Sequence, residues 1–67
     1  MIKANVYIVP VQNGYAGSVL NARYLGSVEA NVLELEDTLR KIPLVCGVSS
    51  FPTKGGVDVV IHKHVKN

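Results

Sequence analysis

The chain has 67 residues, 48% of them apolar and 18% charged, with a net charge of +2 and one cysteine. These figures exclude a disordered tail, a domain stapled by its own disulfides, and a strongly basic arm whose charge alone would argue for nucleic acid. What remains is one folded domain over residues 1–67, and a chain this short buries only roughly 60% of the surface its unfolded form exposes.

Residues 2–11 read as the first strand. Ile2, Ala4, Val6 and Ile8 share one face, and Lys3, Asn5 and Tyr7 share the other, the period of a half-buried strand. Pro10 has no amide hydrogen for a ladder, so it marks a strand end or an edge position. Gln12-Asn13-Gly14 then supplies residues that tolerate the positive φ of a tight turn.

Residues 18–30 carry two patterns. As a strand, Leu20, Ala22, Tyr24 and Val28 point one way, and Asn21, Arg23, Ser27 and Glu29 the other. As a helix, Ala16, Val19, Leu20 and Tyr24 form a stripe. Gly17 and Gly26 weaken the helix, and the alternation runs longer, so the strand is preferred.

The helix of residues 31–42 has the fullest set of local signals. Asn31 is a good N-cap with Glu34 three residues on, as in a capping box. Val32, Leu35, Leu39 and Ile42 form one apolar stripe. Glu36–Arg40 and Asp37–Lys41 are i,i+4 pairs with the acid first, and acids early with bases late also suit the helix dipole. Pro43 ends the element, because the residue before proline is pushed out of the α region.

Two strands follow, residues 45–51 and 57–65, joined by Pro52-Thr53-Lys54-Gly55-Gly56 as a hairpin turn. In the last, Val57, Val59, Ile61 and Val65 alternate with Asp58, Val60, His62 and His64. The expected fold is α+β with the order β-β-α-β-β: a four-stranded, mainly antiparallel sheet with one helix packed on one face. The alternative, β-α-β-α-β-β, holds if residues 16–25 are helical.

Candidate chemistry concentrates near the end of the chain. His62 and His64 lie two apart on a strand and share a face with Asp58, donors that a transition metal accepts. Without a further ligand, this reads better as a solvated strand face. Cys46 follows a helix C-terminus, whose partial negative charge works against a thiolate, so it is expected to be a small buried hydrophobe. The acids Glu29, Glu34, Glu36 and Asp37 are explained by capping and helix pairing, and no phosphate-binding loop or nucleophile elbow is present.

The outline of Tyr7 to Val11, Asn13-Gly14-Tyr15, a second strand and an amphipathic helix resembles the first half of HicB-type antitoxins. It does so without the proline-and-glycine segment that follows their second strand. The stretch from Leu35 through Pro43 to Val60 is similar in shape to the helix–strand–strand half of an ACT ligand-sensing domain. Neither likeness carries a motif residue, so neither implies a site. Free-standing domains of this size without a catalytic set are also typical of phage proteins that bind and inhibit a host enzyme or defence complex.

The sequence leads to a non-enzymatic protein–protein interaction module, acting as an inhibitor of a larger partner or as a homodimer through a strand edge. The alternative is a small nucleic-acid-binding protein using the basic C-terminal hairpin. The candidate binding residues are Arg23, Lys54, Val60, His62, Lys63, His64 and Lys66, with Val60 and Leu25 read as apolar residues that an interface would cover. No catalytic residue, metal, cofactor or membrane is expected, and the lone thiol points to the cytoplasm.

Overall fold

The computed structural model describes residues 1–12 and 21–65. Its elements run β1 (Ile2–Val11), β2 (Arg23–Ala30), α1 (Val32–Arg40), β3 (Val45–Thr53) and β4 (Gly56–His64). This is the β-β-α-β-β order, with residues 23–30 as strand. The Asn13-Gly14 turn and the first residues of the expected second strand lie outside the described residues.

The four strands form one mixed sheet in the order β2-β1-β4-β3. Each edge strand pairs antiparallel with its hairpin partner, β2 with β1 and β3 with β4. The seam between the hairpins is parallel, aligning Ala4 with Val57 and Val11 with His64. A parallel pair needs a crossover connection. Here the crossover is the whole middle of the chain, with α1 carrying it from the β2 edge to the β3 edge.

The helix packs on one face of the sheet. Val32, Leu35 and Leu39 lie with Val48 of β3 against a cluster of Ala4, Val57 and Val59. Ile42, the fourth residue of the expected stripe, is exposed. The helix stops at Arg40 with Lys41 as its C-cap, so Ile42 sits beyond the last turn. There the bonding tightens: Lys41 N–H donates to Thr38 O and Ile42 N–H to Leu39 O, each at 3.2 Å. Asn31 is the N-cap, its Oδ1 accepting from the N–H groups of Leu33 and Glu34 at 3.1 and 3.3 Å. The charged side chains pair differently from the expected i,i+4 pattern. Arg40 meets Asp37 at 3.6 Å, an i,i+3 contact, and the Ser50 hydroxyl donates to Glu36 Oε2 at 2.6 Å. That second bond ties helix to sheet.

Both edge strands contain a bulge, and each bulge changes a sequence-based expectation. In β2, Val6 pairs with Gly26 but Tyr7 pairs with Tyr24, so Leu25 is an extra residue. Gly26 takes φ +144°, a conformation that side chains rarely adopt. Strict alternation puts Tyr24 and Val28 on one face. The bulge flips the phase, sending Val28 to the helix side while Tyr24 stacks near Tyr7 on the other, with ring centroids 5.3 Å apart. In β3, Val45 pairs with Lys63 and Gly47 with His62, leaving Cys46 as the extra residue. Cys46 is therefore exposed and not a buried hydrophobe, with Sγ 3.3 Å from the His62 carbonyl oxygen that accepts its hydrogen.

Candidate functional site

The seven candidate binding residues do not form one patch. Lys54 lies in the turn between β3 and β4, at the opposite end of β4 from Lys63 and His64. Val60 is only 4% exposed, so it is a core residue and offers nothing to an interface. The period-two pattern of β4 had put it with polar neighbours, but it lies in a central strand between Tyr7 of β1 and Ser49 of β3. His62 shares that side of the sheet, opposite the fully buried Val9. Lys66 is outside the described residues.

Arg23, Lys63 and His64, by contrast, come together. The helix covers only the part of its sheet face around Ala4, Val57 and Val59. Beyond it, the same face holds a groove of about 540 Å³ whose apolar wall is Ile8, Pro10, Leu44 and Val65. Arg23 and Lys63 line it with Asn21, and His64 borders it at the strand end. The register explains the grouping: Arg23 sits opposite Ile8, and Lys63 opposite Pro10, so both belong to the helix face. They are two strands apart and two residues offset along the strand, about 12 Å between backbones at ordinary strand dimensions, within reach of a common anion for two long side chains.

None of the chain's five acidic residues lines this groove. Asp58 accepts a hydrogen bond from Asn5 on the other face at 3.2 Å, Glu36 is held by Ser50, and Asp37 pairs with Arg40. That last contact is the ion pair found among the described residues. Leu44 adds a backbone peculiarity, with φ of +72° although it is not glycine. Its carbonyl accepts from His64 N–H at 2.8 Å, which ties the helix–β3 connection to the end of β4 beside the groove. Sequence reading had no route to Leu44, because a positive φ at a leucine has no local signature.

The expected histidine–aspartate face exists as geometry, since Asp58, His62 and His64 do share a side of β4. Asp58 and His62 are four residues apart, about 13 Å along a strand, which is too far for one ion. No three of His, Cys, Asp and Glu gather into a candidate metal site among the described residues.

A second feature is the free edge of β2. Among the described residues this strand pairs only with β1, and its outer edge has no partner. Tyr24, Leu25 and Val28 are exposed along it, Leu25 at 56%, and Ile2 is exposed on the neighbouring strand opposite Ala30. On β3, Pro52 within the strand and the bulge at Cys46 interrupt the outer edge. No helix among the described residues is long and apolar enough to cross a membrane. No family model, curated protein or solved structure matched the chain.

Proposed function

We propose that this chain is a non-enzymatic protein-binding domain whose partner docks along the outer edge of β2. The observation that supports this most directly is the combination of an unpartnered strand edge with Tyr24, Leu25 and Val28 exposed on that same strand. An edge strand offers backbone donors and acceptors to an incoming strand, while the side chains on either side supply apolar area and selectivity. Leu25 and Val28 border one shallow depression with Val6, and Tyr24 is exposed on the opposite face, so apolar side chains flank the edge on both sides.

Two uses fit that edge. A second copy adding β2 to β2 makes a symmetric dimer, since the same strand serves both sides of a two-fold contact. A larger partner occupied at its own sheet edge is blocked there, which is how a small domain without catalytic groups acts as an inhibitor, the phage-type role included. The exposed, unpaired Cys46 fits a reducing intracellular setting.

The test is Leu25→Lys combined with Val28→Lys. Both positions are exposed, so the variant keeps its fold, checked by circular dichroism, while two of the strand's three exposed apolar side chains become charged. Light scattering across a concentration series, with affinity capture from the native host followed by mass spectrometry, reads the outcome. A dimer or captured partner that survives the double substitution rules out the β2 edge.

A further inference from the structure

We infer that the groove beyond the helix is a binding site for a small organic anion, with one phosphate or carboxylate head on an apolar body. It shares β2 with the edge proposed for docking, through Arg23, but does not involve Leu25 or Val28. Three features of the groove select this ligand class. Its volume, about 540 Å³, falls in the range of small-molecule sites. Its lining combines apolar residues, Ile8, Pro10, Leu44 and Val65, with two cations, Arg23 and Lys63, that flank Ile8 and Pro10 from the neighbouring strands. Its lining contains no Asp or Glu among the described residues, so an arriving anion meets two positive charges without a competing acidic side chain from them.

The two cations are suited to one anionic head. A guanidinium presents paired N–H donors that match a carboxylate or phosphate in bidentate fashion, and an ammonium adds a point charge that needs no fixed angle. Asn21, two residues before Arg23, supplies an uncharged amide in the same lining. Because the sheet holds Arg23 and Lys63 on flanking strands across Ile8 and Pro10, the head sits between them and the body extends toward Leu44 and Val65. The left-handed Leu44 keeps its side chain in the groove lining although this backbone conformation disfavours it. Such strain persists where surrounding structure holds it and is common at ligand sites.

Titration of isotope-labelled protein with phenyl phosphate, hexanoate and inorganic phosphate, followed by amide chemical shifts, tests this. At least one of the two organic anions is expected to bind about tenfold more tightly than inorganic phosphate. The shifted amides should centre on Arg23, Leu44, Lys63 and Val65. A preference for phenyl phosphate assigns the natural ligand to phosphomonoesters, and a preference for hexanoate assigns it to carboxylates. Arg23→Gln and Lys63→Gln should each weaken binding about tenfold, the ordinary effect of losing one charge-assisted hydrogen bond. Lys54→Gln, in the distant turn, should leave it unchanged. Saturation by neither organic anion below about 10 mM, shifts centred elsewhere, or equal affinity in the Arg23→Gln and Lys63→Gln variants overturns the assignment. Because these substitutions leave Leu25 and Val28 untouched, failure here and failure of the edge-docking reading are separable.

Discussion

The two central strands and the two edge strands of this sheet are built to different rules. Every residue buried in the described structure belongs to β1 or β4: Ala4, Val6, Val9, Val11, Val57, Val59, Val60 and Ile61. The helix and both edge strands contribute half-buried residues at most. The central pair runs in unbroken register from Ala4 to Val11, whereas each edge strand is interrupted by a bulge. Burial is concentrated along the seam, whereas the features proposed to meet another molecule lie on the β2 edge and at the end of the seam that the helix leaves uncovered. A domain this small has no second core to rely on, so changes in the two zones should have very different consequences.

The largest effect is expected at the centre. Val59→Asp places a carboxylate where exposure is 0%, in a cluster of apolar side chains among the described residues, and should unfold the domain outright. Loss of dispersed amide resonances checks this, and a folded variant would mean that the seam is looser than its burial indicates. Gly56→Ala comes next. A Cβ there would overlap the Lys3 carbonyl oxygen, so the start of the parallel seam must shift. The expected cost is about 2 to 3 kcal/mol by urea denaturation, the upper range for overpacking against a neighbour that cannot yield. Asn31→Ala removes the acceptor for two helix amides and should cost about 1 kcal/mol. At the edge, Leu25→Lys should change stability by less than about 0.5 kcal/mol. A cost at Leu25 equal to that at Gly56 would erase the distinction between seam and edge.

Much of the fold was legible in the residues because its local signals agree with one another. Asn31, the apolar spacing from Val32 to Leu39 and the proline at position 43 all specify the same helix. The alternation in residues 57–65 specifies β4, and the turn before it joins β3 to β4 as a hairpin. What escaped is what periodicity cannot encode. A single extra residue at Leu25 reverses the facing of everything on one side of it, and another at Cys46 turns out a thiol that composition assigns to the interior. The parallel pairing of β1 with β4 was also hidden, because no local pattern reports which distant strand will lie alongside.

The candidate site was legible only in pieces. Arg23, Lys63 and His64 were singled out for their charge, but as members of a basic hairpin or strand face. Their grouping depends on β2 and β4 flanking β1, a fact of topology. Leu44, Ile8 and Pro10, which give the groove its apolar wall, carry no functional signature in the sequence. Val60 was misplaced for the opposite reason: its polar neighbours in β4 suggested solvent, while in the central strand, opposite Tyr7, it is 4% exposed.

The parallel seam also bears on how the chain reaches this state. The strands it joins are the first and last elements in chain order, so the contacts that hold the core are the most distant in sequence. Each hairpin can zip from its own turn, but neither carries a complete core alone. The decisive event is the meeting of two preformed halves, with the loop-closure entropy of the intervening chain to overcome. Such high contact order places the domain among the slower folders of its size. Until the halves meet, β1 and β4 each present a bare apolar edge. The rate of that meeting, more than the strength of any one hairpin, governs how long the chain is exposed to aggregation.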